Sequence, residues 1–331
     1  MSLITVQPQG LYCEKGDFFI DPWRPVDRAL ITHAHSDHAR SGSQQYIATQ
    51  ISEGILRRRL GGDRIQLQGV QYGEKLKLGS VWVSFHPAGH VLGSAQVRVE
   101  DANEVWVISG DYKRCADPTC EPFEVVPCDV FISEATFGLP IYRWKPGRET
   151  AQEIYDWWQS DRDRPSLLFC YAFGKAQRVL SELQALSDRP VYVHGAVHAL
   201  TEIYRDVGVD MVPTIPVSEM PRKYKFEGDL VLAPPSGHRS SWMKRFSHPQ
   251  TAFASGWMAV RGARRRRGYE RGFVLSDHAD WNSLIGTVRQ TGAKTVYITH
   301  GQTDVLARYL QEVHQINALP LRTLFEGEGD I

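Results

Sequence analysis

Short apolar runs broken by Gly, Pro, Asp or Asn fill the first 140 or so residues: FFIDPW, ALITHAH, VWVSFHPAGH, AQVRVE, EVWVISGD and DVFISEAT. Such runs predict strands and turns. Several end on a polar side chain able to bind a metal, which is where a sheet brings neighbouring strands to a shared edge. From about residue 145 to about 255 the pattern lengthens. ETAQEIYDWWQSD, GKAQRVLSELQALS and HALTEIYRDVG read as helices, interleaved with the apolar runs PSLLFCYAF, RPVYVHG and DLVLAPPSG. Strand, helix, strand in this order predicts βαβ units and a mainly parallel sheet. The first pattern then returns in GFVLSDHADW and TVYITHG. The layout expected is one domain in two parts, 1–144 and 256–331, interrupted by a second at 145–255.

Composition narrows the class. With 331 residues, 42% hydrophobic and 23% charged, the chain has enough material for a substantial core. No run approaches the roughly 18 apolar residues that span a bilayer. The N-terminus has neither a basic start nor an apolar stretch of the kind that directs export. Five cysteines without a close CxxC pair fit reduced thiols and a cytoplasmic location. The formal charge is zero, yet six arginines fall between Arg261 and Arg271. A nucleic-acid binder needs such a local basic surface even when the whole chain is neutral.

The sharpest chemical signal is the HxHxDH cluster His33, His35, Asp37 and His38. On a straight strand alternate side chains face opposite sides, but in a tight loop four donors can fan around two adjacent points. Imidazole with carboxylate suits zinc, with manganese as an alternative. A polar loop opening a helix at Asp37 is the plainer alternative. The cluster cannot complete two coordination spheres, so further ligands are expected from His90 in PAGHVLGS, Asp111 in ISGDYK and His300 in YITHG. Each follows an apolar run and lies beside glycine.

With these residues in this order, the chain resembles the metallo-β-lactamase superfamily over its whole length. The resemblance implies an α/β fold, an αββα sandwich, in which His33, His35 and His90 hold one Zn²⁺ and Asp37, His38 and His300 the other. Asp111 would bridge them, and Asp21 in FFIDPW would orient the ligand loop. Glu134, His278 and His300 resemble the later motifs of the β-CASP nucleases, and residues 145–255 lie where that branch carries its inserted parallel-sheet domain. SDHADW, PAGHVLGSA and ASGWMAVRG are similar to the bacterial ligase-associated DNA exonucleases. That likeness implies DNA as substrate and points to a DNA ligase and a helicase as partners, and the resemblance to the related DNA cross-link-repair nucleases favours 5′→3′ cleavage. Ala-Pro-Pro-Ser-Gly-His at 233–238 departs from the Met-rich turn of the RNA-cutting members.

Hydrolysis of a phosphodiester must stabilise both an entering and a leaving oxygen, which two metal ions about 3.5–4 Å apart can do. His278, held by Glu134, is the candidate acid, with Asp37 the third catalytic candidate; capping a helix at Asp280 is the alternative role for His278. Arg264, Arg265, Arg266 and Arg267 are expected to contact phosphates. Lys175 and Gln177 are expected to receive one at a helix start. His194 and His198 read as structural. An RNA-processing nuclease, a catalytically dead nucleic-acid scaffold and a small-molecule thioester or lactone hydrolase are the competing functions.

Overall fold

A computed structural model describes residues 2–324 except Arg261 and residues 263–267, so Arg264, Arg265, Arg266 and Arg267 lie outside the described residues. The chain divides into two compact units. The first comprises Met1–Arg114, Cys120–Arg143 and His278–Asp330.

Two sheets build this first unit. One has six strands in chain order: Thr5–Gln7, Gly10–Cys13, Phe18–Ile20, Arg28–Leu30, Gln45–Thr49 and Gln66–Val70. The other has seven, running Asn317–Pro320, Thr295–Gly301, Val130–Ala135, Val105–Ile108, Ala95–Glu100, Val81–Pro87 and Leu76–Leu78 across the sheet. Strict alternation decides what each face of the second sheet covers. Trp106, Ile108, Val130 and Ile132 pack with Leu11, Phe18, Ile20, Leu30 and Ile47 between the sheets. Val107, Phe131, Val296 and Ile298 point the other way, onto Trp281, Leu284 and Val288 of the helix Trp281–Thr291 and Leu306 and Leu310 of the helix Thr303–His314. Each such side chain contributes about 1.5–3 kcal/mol by leaving water. This is the layered sandwich expected from the sequence.

Strand direction fixes where the chemistry sits. Val105–Ile108, Val130–Ala135 and Thr295–Gly301 are parallel neighbours, so they end at one edge of the sheet. Val81–Pro87 reaches that edge too, because two antiparallel steps separate it from Val105–Ile108. In the first sheet, Phe18–Ile20 and Arg28–Leu30 are likewise parallel, which places Asp21 and the loop from Thr32 beyond the same ends.

The second unit comprises Cys115–Thr119 and Trp144–Asp277. Its six strands all pair in parallel, in the order Thr214–Pro216, Val191–Val193, Leu230–Ala233, Ser166–Phe169, Gln250–Ala254 and Arg271–Phe273. Helices Lys175–Leu183 and Gly195–Asp206 supply the first two crossovers, and the helix Gly147–Gln159 precedes the first strand in the chain. The inserted unit runs well past the expected end at residue 255. The reason is Arg271–Phe273, which hydrogen-bonds beside Gln250–Ala254 although GFVLSDHADW reads as one return to the outer domain. Among the described residues no helix is long and apolar enough to cross a membrane.

Candidate metal centre

Thr32 to Ala39 leave the strand Arg28–Leu30 as a loop that closes a turn, with the amides of His38 and Ala39 both donating to the carbonyl of His35, at 3.2 and 2.8 Å. No helix begins at Asp37. The turn lets the four donors fan out. His35 Nδ1 lies 3.1 Å from His33 Nε2 and 3.0 Å from His90 Nε2. Donors held about 2.0 Å from one ion at tetrahedral corners stand about 3.3 Å apart, so this trio has the spacing of ligands around one metal ion. Asp37, His38 and His300 form a second group, with Asp37 Oδ2 3.7 Å from His38 Nε2 and 3.8 Å from His300 Nε2.

Asp111 stands between the groups. Its Oδ2 is 3.6 Å from His33 Nε2, 3.8 Å from His90 Nε2 and 3.5 Å from His38 Nε2, while Oδ1 is 3.3 Å from His300 Nδ1. Two conformational devices aim these ligands. Gly110 has φ +54°, and a Cβ there would lie 2.6 Å from Thr32 Oγ1, so only glycine lets the chain turn Asp111 inward. At the far strand, Glu134 pairs with Thr299 and Ala135 with Gly301. His300 is therefore the extra residue of a β-bulge, with φ +63°, and the bulge swings its imidazole toward Asp111.

A buried hydrogen-bond chain sets which ring nitrogens face the centre. Asp21, itself at φ +44°, accepts from the Thr32 amide at 2.8 Å, from Thr32 Oγ1 at 2.5 Å and from His38 Nδ1 at 2.7 Å. With its proton given to Asp21, Thr32 Oγ1 accepts from His33 Nδ1 at 3.1 Å. Both His33 and His38 thus turn Nε2 inward with its lone pair. Burial, then repulsion from His38 and His90, keeps His33 well below the usual histidine range. For His38 burial acts in the same direction, but the carboxylates of Asp111, Asp37 and Asp21 outweigh it and raise its pKa well above the ordinary value. Burial also opposes charge on Asp111, and His38, His278 and His300 overcome it and hold the carboxyl well below its usual range. Imidazole nitrogens and carboxylate oxygens gathered within 4.8 Å of one another form a donor set that fits divalent metal at both groups.

Glu134 and His278 form the adjoining pair. His278 Nδ1 donates to Glu134, 2.9 and 3.0 Å from its two oxygens. The Tyr112 amide donates to Glu134 Oε1 at 2.8 Å and fixes the carboxylate. The helix start nearby is capped by Asp280 Oδ1, which accepts from the Ser283 amide at 2.8 Å, so His278 does not serve as the cap.

The structure does not bring every expected residue to a surface. Lys175 and Gln177 are buried in the second unit, at 1% and 0% exposure, and this corrects their expected contact with a phosphate. Gln177 Oε1 accepts from the Gly174 amide at 2.9 Å, and its amide donates to Ala172 O and Thr201 Oγ1. Lys175 Nζ faces Asp277 at 3.4 Å. His194 caps its helix by accepting from the Ala196 amide at 3.1 Å, and His198 lies 3.8 Å from Glu202. Sequence reasoning passed over Thr32, whose place directly before HxHxDH was the available signal. It also passed over Lys113, buried one residue beyond Tyr112, which donates to His90 O at 3.2 Å.

The chain is 30% identical over 92% of its length to part of a protein named "Probable DNA ligase" from Opitutus terrae, covering 30% of that protein. It is 30% identical over 57% of its length to a ribonuclease of Thermus thermophilus, covering 48% of it. An RNase of Saccharolobus solfataricus matches 53% of the chain at 25% identity, over 42% of its own length. The chain thus spans from under a third to about half of these relatives. No family profile matches it. Among solved structures, a protein of unknown function from Enterococcus faecalis shares the fold with a TM-score of 0.63 at 13% identity, covering 90% of this chain and 80% of that one.

Proposed function

Since the chain is a homologue of the β-CASP nucleases of the metallo-β-lactamase superfamily, we propose that it is a two-zinc phosphodiesterase that trims DNA ends as an exonuclease ahead of ligation. The observation that carries the reading is Asp111, one carboxylate within 3.3–3.8 Å of ring nitrogens from both histidine groups, beside a His278–Glu134 pair.

His33, His35 and His90 would hold one ion, Asp37, His38 and His300 the other, with Asp111 shared. Such ions, zinc or in its place manganese, supply the positive charge that activates water and offsets charge building on a phosphate. The protein's own residues do the rest. Glu134 accepts a hydrogen bond from His278 Nδ1–H, which leaves Nε2–H for the leaving oxygen and stabilises the charged ring. His278 then donates its Nε2 proton as the P–O bond breaks. Asp37, whose side chain is 22% exposed against 3–4% for His38, His300 and Asp111, borders the side open to solvent and can take a proton from the attacking water.

DNA is favoured because the match spanning most of the chain is to part of a probable DNA ligase, whereas the two ribonucleases match little more than half of it. Neither a DNA ligase nor a helicase is supported as a binding partner by these comparisons. A second reading, an RNA-processing nuclease, is favoured by the similarity to those two ribonucleases. Time courses on DNA labelled at each end in turn, beside RNA of the same sequence and with defined metals added, separate the two. Release of mononucleotides from the 5′ end of DNA is the expected result. Faster cleavage of RNA, or internal cuts alone, overturns the exodeoxyribonuclease reading.

A further inference from the structure

The second unit carries an open groove of about 830 Å³ outside the carboxyl ends of the strands Val191–Val193 and Thr214–Pro216, the end of a parallel sheet at which ligands bind. His194, Arg222, Ser241, Trp242, Lys244 and Arg245 line it. Three of its lining residues are cations and none is a carboxylate, in a chain whose overall charge is zero. Low-dielectric walls around cations of one sign concentrate positive potential. The ligand this selects is a polyanion.

The fixed and mobile parts of the lining differ. Trp242 is half-buried between His194, at 5.2 Å and 65° between ring planes, and Phe246, at 4.8 Å and 61°. Its amide is held by Ser240 Oγ at 3.2 Å. Arg245 donates to the carbonyls of Met220 and Pro221, tying the groove's two segments together. Arg222 and Lys244, by contrast, are exposed, with long side chains that can follow a ligand. A rigid indole flanked by adjustable cations is the combination that binds single strands, where bases stack on a ring and phosphates meet the charges.

We propose that this groove binds single-stranded nucleic acid, with phosphates on Arg222 and Lys244 and a base against Trp242. The inference rests on the nuclease reading and extends it to how the substrate strand is gripped. Its test uses the metal-loaded full chain and a fluorescent twenty-nucleotide oligothymidylate with phosphorothioate linkages, titrated by anisotropy across a range of salt. The double variant Arg222→Glu/Lys244→Glu is expected to bind about tenfold or more weakly. The milder Arg222→Gln/Lys244→Gln should flatten the slope of log affinity against log salt by about 1.4, since each phosphate contact on a single strand contributes about 0.7. Trp242→Leu should weaken binding without changing that slope. Metal content and unfolding temperature matched to wild type certify the fold of each variant. Unchanged affinity and slope in both double variants overturn the groove. Wild-type hydrolysis of bis(p-nitrophenyl) phosphate is measured separately: its absence sinks the nuclease reading, while the anisotropy still judges the groove on its own.

Discussion

Asp21 touches no position where a substrate would react, yet the hydrogen-bond chain it anchors makes it a sharp test of the centre. Its carboxylate accepts from the Thr32 amide, Thr32 Oγ1 and His38 Nδ1, all buried. Substitution to alanine strips all three donors of their acceptor. Each orphaned buried donor costs about 1–3 kcal/mol, and relaxation around the site makes the sum less than additive. Asp21→Asn separates positioning from packing. The amide is nearly isosteric and can still accept from the Thr32 amide, but its NH₂ then confronts His38 Nδ1. His38 must move its proton to Nε2, the nitrogen that faces Asp111 at 3.5 Å. Loss of such a supporting partner lowers metal affinity about 10–100-fold, or about 1.4–2.7 kcal/mol. Competition against a chromophoric chelator reads this directly, with elemental analysis after dialysis giving stoichiometry and calorimetry giving the stability of the metal-free protein. The expected pattern is a larger stability loss for alanine than for asparagine, with metal affinity falling for both. If Asp21→Asn holds metal as tightly as wild type, the carboxylate does not set the ring orientation.

Asp111→Ala should remove most of the bound metal together with activity, checked by elemental analysis and phosphodiester hydrolysis; full metal content would deny its bridging place. His278→Ala should keep its metal but slow cleavage about 10²–10⁴-fold, and a near wild-type rate under single-turnover conditions would remove it as the acid. Converting Arg264, Arg265, Arg266 and Arg267 together to alanine should lower the salt slope of single-strand binding by up to about 2.8, four contacts at about 0.7 each. A slope equal to wild type would mean that those arginines meet no phosphate.

What could be read from the sequence divides by how local its cause is. HxHxDH is legible because its four donors lie within one turn, and the turn is set by neighbouring residues. His90, Asp111 and His300 are scattered, but each terminates an apolar run, and parallel register carries those run ends to one edge whatever the loops do. Lys175 misled for the opposite reason. After a glycine at a helix start it has the local form of a phosphate receiver, while the partner that occupies it, Asp277, lies far along the chain and is invisible in any window around it. The end of the inserted unit was misplaced on similar grounds, since the three-residue strand Arg271–Phe273 is too short to show a period.

The same division bears on DNA against RNA. In the proposed function the two histidine groups and Asp111 would address a phosphodiester, which both polymers share, so the centre itself would not distinguish the sugar. Discrimination has to come from contacts outside it, where a 2′-hydroxyl or the form of the strand is met. If the proposed groove grips the strand, those contacts would be drawn from segments such as 220–222 and 241–245, which form no motif in sequence and acquire meaning only when the fold lays Arg222 and Trp242 along one groove. If DNA is the substrate, exchanging thymidylate for uridylate in the anisotropy assay should weaken wild-type binding, and the groove variants should narrow that difference. A preference that survives both substitutions intact would place sugar selection elsewhere in the chain.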